Sequence, residues 1–533
     1  EQFRIEAVVD RVSTTGNVFL GLTLGCARCH DHKYDPISQR EFYQFFALLN
    51  NADEPTLSLP TTQQSKELPA IDAEVAAVEK RLAEADGAID SRQKEWEVKV
   101  VAQFAALDAS GAAPELLAIL KPLRSALAVP RDKRSKAQRK LILEEYRKHD
   151  VERAPLTAQL DEVKQRQKQI RSNVTTTLVM KERTEPRETF VHLRGDFLRP
   201  GARVEPDVPG VLAALVPLRP AHEHANRLDL ARWLVDRKNP LTPRVAVNRI
   251  WQEYFGQGLV TTENDFGTQG DRPTHPELLD WLASEFIARG WSMKSLHQLI
   301  VTSSVYRQDS KLRKELAEKD PYNKLLARQA RLRLDAEVIR DSALAASGLL
   351  STEIGGPGVY PPQPEGIYRF TQTKKFWNES TGPDRYRRAM YTYFWRSSPY
   401  PFLTTFDAPD ATNTCTRRVR SNTPLQALTL ANDRAFFELA QGLAARVLRE
   451  AGDGDRARIE RAVRLCLVRE PTEHERSRLE KFVAGQRTYF AAAADADSVA
   501  PKDRPAKVSA AEAAVWTALA RVVLNLDEFV TRE

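Results

Sequence analysis

Between residues 66 and 175 the apolar positions fall three and four apart. They run Leu68, Ile71, Val75, Val78, Leu82, Ala85 and Ile89, and again Leu156, Leu160, Val163 and Ile170. That alternation keeps a single helical stripe apolar, and such a stripe is stable only against a matching one. The other positions are rich in Ala, Glu, Lys, Arg and Gln, and a connection with Gly, Pro and a basic stretch (131–140) separates the two seams. The spacing predicts a long antiparallel, coiled-coil-like helical hairpin with arms about 50 Å long at ~1.5 Å per residue. A scaffold insertion accounts for it better than a spacer or partner-binding arm.

On either side of the hairpin the pattern changes. Past residue 176 the period drops to two, with Thr177, Leu178, Val179 and Met180 as one strand and 189–196 as another. A turn at Pro200-Gly201 completes a small β-module with its linker over 176–225. From Asn226 onward amphipathic helices dominate. Thr242-Pro243 marks a helix start, Thr274-His275-Pro276-Glu277 has the form of a capping box, and Thr423-Pro424-Leu425-Gln426 opens a further capped helix. Helices are also expected at about 293–306 and 321–350. The expected architecture is mainly α and multidomain: an N-terminal piece (1–60), the hairpin (66–175), the β-module (176–225) and a large helical domain (226–533).

The chain has 533 residues, 42% hydrophobic and 28% charged, a composition that buries a substantial core. No run of about 18 apolar residues occurs, so no membrane-spanning helix is expected. The net charge of +7 comes from 79 basic against 72 acidic residues, largely interspersed. That balance reads as a solvated surface, and no nucleic-acid-binding motif accompanies it. Gly-x-Ser-x-Gly, His-Glu-x-x-His and a phosphate-binding loop are all missing, which removes support for the familiar hydrolase and nucleotide-binding classes.

One run points directly at chemistry: Gly25-Cys26-Ala27-Arg28-Cys29-His30-Asp31-His32-Lys33-Tyr34-Asp35-Pro36. Two thiols three residues apart followed by a histidine form the attachment pattern of haem c, and histidine is a usual axial ligand. Cys26 and Cys29 would make the thioethers and His30 would bind the iron. His32 lies too close to His30 to reach the opposite face, and is left for a propionate, another metal or a structural role. Two other readings use the same residues. Zinc or iron could be held by Cys26, Cys29, His30 and His32, although four ligands this close together strain a tetrahedral site. A disulfide or free dithiol is the third. Ser38 is placed to cap a helix over 39–49, whose Phe42, Tyr43, Phe45 and Phe46 read as core more readily than as a haem wall.

Other constellations are weaker. Asp265, His275, Glu277 and Asp280 invite a metal or acid–base reading, but a capping box already explains Glu277. Asp407 and Asp410 precede Cys415, Arg417, Arg418 and Arg420; that loop either clamps an anion through Arg417 and Arg418 or forms an internal ion-pair network, the latter expected. Arg385, Arg387 and Arg388 beside Tyr386 and Tyr391 suit either an anion- or sugar-contacting surface or the rim of a core. Cys466 lies in an apolar helical context and is expected in the core.

Residues 21–36, ending Cys29-His30-Asp31-His32-Lys33-Tyr34-Asp35-Pro36, resemble the end of the planctomycete cytochrome-like domain family. Three later segments resemble the planctomycete-specific domain that usually follows it: 239–251, containing Asn248-Arg249-Ile250-Trp251; 265–281, containing Asp265-Phe266-Gly267 and His275-Pro276-Glu277; and 423–428. Both domains are of unknown function. The resemblance implies an exported protein with a redox or polysaccharide-related role, and leaves the second axial ligand unassigned. Glu1-Gln2-Phe3-Arg4 carry no secretory signal and the upstream half of the cytochrome-like domain is missing, so the chain reads as a fragment.

The leading expectation is an exported haem-c-binding protein, periplasmic or at the cell surface, working with a redox partner protein. A haem-free metal-dependent hydrolase of an extracellular polymer is the second reading. A cell-surface binding or scaffold module for an anionic glycan is the third. No catalytic residue is assigned.

Overall fold

The computed structural model describes the chain apart from residues 88, 110–113, 370, 374 and 533 and the side chains of 107–109 and 114–120. The protein is mainly helical, and its described strands pair only as four two-stranded antiparallel ribbons. Two compact units divide the chain: residues 1–51 with 186–533, and residues 52–185. These do not follow the boundaries read from the sequence, because the N-terminal piece and the large helical domain fold as one unit, with residues 52–185 inserted between them in sequence.

In the smaller unit the two seams meet as expected. Ile71, Val75 and Val78 of the Thr62–Gly87 helix pack against Leu160 and Val163 of the Arg153–Ser172 helix, flanked by Leu82 and Ile170. The arms are not two continuous rods. Helices Ile89–Ala109, Pro114–Leu127 and Lys136–His149 lie between them in sequence. Pro130 precedes one break, and Ser135 caps the next helix with a capping box closed by Gln138. A second small core gathers Phe104, Ala126, Leu127 and Ile142.

The expected β-module does not exist as a unit. Its first strand, Thr175–Leu178, pairs with Thr56–Leu59 in the smaller unit, whereas Thr189–His192 pairs with Pro200–Val204 in the larger one. Local alternation marks a strand but is silent on which distant strand supplies its hydrogen bonds.

The larger unit holds three apolar clusters. Ile5, Val8 and Val12 of the Gln2–Thr15 helix meet Phe42, Tyr43, Phe45 and Phe46 of the Gln39–Asn50 helix, Val191 and Val204 of the ribbon, and Trp233. Val247, Trp251 and Phe255 pack on Leu279, Leu282 and Phe286. Trp516, Leu519 and Val523 of the Ala510–Leu524 helix sit against Phe436, Leu443 and Val447 of the Arg434–Glu450 helix. Two sequence signals act as read: Ser38 caps its helix with Glu41 closing the box, and Thr423 accepts from the Gln426 amide; Gly256 ends the Thr242–Phe255 helix in the left-handed conformation. The box at Thr274 does not form. His275 holds the N-cap position of the Pro276–Ala288 helix with no side-chain cap, and Thr274 instead meets its ring at 3.0 Å. The helix expected over 321–350 is present only as Ala336–Ser347, and that at 293–306 as Met293–Val301.

Candidate cofactor-attachment site

The thiols are presented by a short turn. After Gly21, whose φ of 62° ends the preceding helical stretch, residues Leu24–Arg28 form a 3-10 helix that contains Cys26, and Cys29 caps its end. Both thiols are free and exposed. The turn is held from below. Tyr43 donates its hydroxyl to the Arg28 carbonyl at 3.1 Å, and Gln39 Nε2 donates to the carbonyls of Arg28 and His192 at 3.0 Å each. Arg28 itself is engaged bidentately by Glu6, at 2.9 and 2.6 Å. Cys29 Sγ lies against Gly195, at φ 76° in the tip of the 189–204 ribbon, where an added Cβ would fall 2.6 Å from the sulfur. No side chain larger than hydrogen fits that contact. A glycine interrupting an extended run marks such close approaches, and this was the available signal for Gly195.

The two histidines that follow have opposite tautomers. His30 Nδ1 lies 2.7 Å from the Asp31 carbonyl oxygen. A carbonyl only accepts, so Nδ1 carries a proton, and in the neutral ring Nε2 keeps its lone pair. His30 is exposed, with Nε2 as its free ring nitrogen. His32 is turned inward. Its Nδ1 accepts from the Asp35 amide at 2.8 Å and the Tyr34 amide at 3.3 Å, which places its proton on Nε2, 3.1 Å from Thr23 Oγ1. The Asp35 carboxylate, 3.8 Å from Nδ1, is therefore a neighbour and not an ion-pair partner. Both His32 nitrogens are committed to shaping the loop. Asp31 Oδ1 accepts from the Gln39 amide at 2.8 Å, and the His32 amide donates to the Ile37 carbonyl at 2.8 Å, closing the loop on the next helix.

This donor set fits a covalently attached haem c: two free thiols one turn apart, then an imidazole whose second-row hydrogen bond leaves Nε2 available. Among the described residues no group of three or more His, Cys, Asp and Glu side chains could hold a metal ion. The aromatic residues of the Gln39–Asn50 helix are core: Phe42, Tyr43, Phe45 and Phe46 are at most 1% exposed.

Beneath the turn, His192 packs 4.8 Å from the Tyr43 ring and its Nδ1 is buried with no partner. Burial, helped by the charges of Arg28 and Arg4, pushes its pKa down from 6.5. A histidine kept neutral in the fold but free to protonate when unfolded favours folding fully above pH 6.5, and that contribution is lost as pH falls through the depressed value. Thermal unfolding of His192→Phe should therefore show a shallower loss of stability on acidification below pH 6.5 than the parent.

The remaining candidates make contacts of their own. Asp265 Oδ1 accepts from the Gly267 amide at 2.9 Å, closing a tight turn. The His275 ring meets Thr274, and Asp280 accepts from Arg244 at 2.6 Å. In the arginine loop Arg418 pairs with Glu337 at 2.6 Å and Asp335 at 3.8 Å, and Arg420 with Asp335 and Glu253. Arg417 is exposed, and its carbonyl accepts from the Cys415 thiol at 3.2 Å. Arg387 is buried beneath Tyr391, and Arg385 grips Glu438 through two nitrogens. Cys466 packs against the core, where burial pushes its thiol up to about 12.

Residues 226–483 match the PSD1 family, described as a protein of unknown function (DUF1553), and residues 1–54 match PSCyt2, also a protein of unknown function (DUF1549). No curated protein and no solved structure matches the chain.

Proposed function

Because the chain belongs to the planctomycete cytochrome-like family over residues 1–54 and to its accompanying domain family over residues 226–483, both of unknown function, we propose that it carries one haem c and serves in electron transfer. The observation that carries the reading is the His30 hydrogen bond to the Asp31 carbonyl, which leaves Nε2 as a free donor next to two free thiols. Cys26 and Cys29 would each add across one vinyl group, sulfur bonding one carbon and the thiol hydrogen passing to the other, with no oxidant needed. His30 would hold the iron through Nε2. When bound, the group supplies one-electron chemistry at its iron. The chain's own part is to hold the thiol turn against Tyr43 and Gln39 and to keep His30 in one tautomer. Thioether attachment takes place outside the cytoplasm, so the reading includes export and a redox partner protein. No helix among the described residues is long and apolar enough to cross a membrane.

The test is the full chain produced alongside haem-c maturation machinery, read by intact mass and by a reduced-minus-oxidised absorption spectrum. One added haem mass and a sharp c-type α-band are expected. Both should vanish when Cys26 and Cys29 are replaced by Ser, while His30→Ala keeps the added mass and loses the sharp α-band. A parent chain that takes up no haem under these conditions overturns the reading.

A further inference from the structure

The segment bearing the thiols is fastened to the domain that follows it by residues with no chemistry of their own. Arg249, on the Thr242–Phe255 helix, donates from Nη1 to the Val18 carbonyl at 2.6 Å and from Nη2 to the Asn17 carbonyl, with Asn264 Oδ1 at 3.2 Å. Those two carbonyls belong to the stretch that runs into Gly21 and the 3-10 turn. The Phe266 amide donates to the Gly21 carbonyl at 2.8 Å, and the Phe266 ring fills the space over Gly21, 2.7 Å from where a Cβ would stand. Asp35, 7% exposed, closes the other end: its Oδ1 accepts from the Thr268 amide at 2.7 Å and hydroxyl at 3.1 Å. That approach exists only because residue 267 is glycine, since a Cβ there would collide with the carboxylate. The same Asp35 provides the amide that His32 Nδ1 accepts.

The loop with His30 at its outward side is thus clamped at both ends, at 17–21 by Arg249 and Phe266 and at 35 by the 267–268 turn. We propose that Arg249 and Gly267 are positioning residues for Cys26, Cys29 and His30, so that the geometry of the attachment turn is set by the second domain and not by the motif alone. Within its own segment the thiol turn is held by the Tyr43 and Gln39 bonds to the Arg28 carbonyl and by the Cys26 amide, which donates to the Thr23 carbonyl at 3.2 Å. The clamp adds a bidentate guanidinium contact and a carboxylate bonded twice, both in settings where charged donors or acceptors make the stronger hydrogen bonds.

The proposal rests on the haem reading for its purpose but not for its test. Deuterium uptake is measured on the full chain in its haem-free thiol form, following peptides over residues 26–38. In Gly267→Ala and in Asp35→Ala, uptake there should rise roughly tenfold, because the amides of His32, Asp35 and Ile37 lose the loop that protects them. Asp35→Asn keeps an oxygen acceptor for Thr268 and should stay near the parent rate. Peptides from 434–450 and 510–524 should be unchanged in all three, which separates positioning from a general loss of stability. Should Gly267→Ala fail to fold, Asp35→Ala removes the same clamp without a steric conflict. Parent-like uptake over 26–38 in a folded Asp35→Ala chain overturns the inference. In chains carrying haem, Asp35→Ala should shift the midpoint potential relative to Asp35→Asn. An unchanged potential also counts against positioning, whereas a parent chain without haem sinks only the haem reading.

Discussion

Trp516→Ala should lower the stability of the larger unit by about 3–5 kcal/mol, the range for deleting a large buried aromatic side chain. Trp516 is 1% exposed, in the middle of the largest apolar cluster. Its indole nitrogen donates to Glu512 Oε1 at 2.9 Å, and the Arg458 guanidinium stands 5.4 Å from the ring centre. Glu512 also receives Arg458 and Arg487, at 3.3 and 2.9 Å. The substitution therefore opens a cavity and removes one donor from a carboxylate that two arginines still need. Trp516→Phe keeps a ring and loses the donor, and should cost distinctly less. Urea unfolding followed by far-ultraviolet circular dichroism measures both; an alanine variant within about 1 kcal/mol of the parent would mean that the neighbouring helices close the gap.

Glu97→Ala should have an effect of similar size in the smaller unit. Arg134 Nη1 donates to Glu97 Oε2 at 2.7 Å, with side-chain exposures of only 7% and 10%. Gln93 donates to the other carboxylate oxygen at 2.7 Å, and Arg134 Nε to the Val129 carbonyl at 2.9 Å. Removing the carboxylate leaves a guanidinium buried without its counter-charge, a change that costs about 3–5 kcal/mol, whereas replacing both partners by apolar residues of similar volume is often neutral. Glu97→Ala should accordingly accelerate proteolysis within residues 52–185. The Glu97→Leu, Arg134→Met pair should recover most of the loss. A double variant as labile as the single one would show that the pair itself, and not the orphaned charge, carries the stability.

What the sequence made legible follows the range of the forces involved. The seam at Ile71, Val75 and Val78 is a repeated local signal, and it finds its partner at Leu160 and Val163 as read. Ser38 and Thr423 act within three residues of themselves, and both cap as read. The reading at Thr274 misplaced the boundary by one residue, because Pro276 fixes the first helical turn and leaves His275 as the cap position. The supposed β-module failed for a longer-range reason: Thr177 is opposite Leu57, and nothing near Thr177 encodes that. At the candidate site the thiols and His30 were legible as a motif. The inward role of His32, the fit of Gly195 on Cys29, and the bonds from Arg249 and Thr268 were not, because each joins residues that only folding brings together.

The ribbon at the base of the smaller unit has a consequence for how such a chain can vary. Ala52 stands opposite Glu182 and Asp53 opposite Lys181, so this 134-residue excursion leaves and returns at neighbouring points. One step outside, the Arg187 amide donates to Asn51 Oδ1 at 3.0 Å, tying the flanking residues together independently of what lies between. Such a loop is topologically a bracket. Its contents can lengthen, shorten or be exchanged at a closure cost that grows only logarithmically with length, while Arg249, Asp35 and Gly267 keep their contacts. A change of length within 52–185 therefore leaves the attachment turn and its clamp in register.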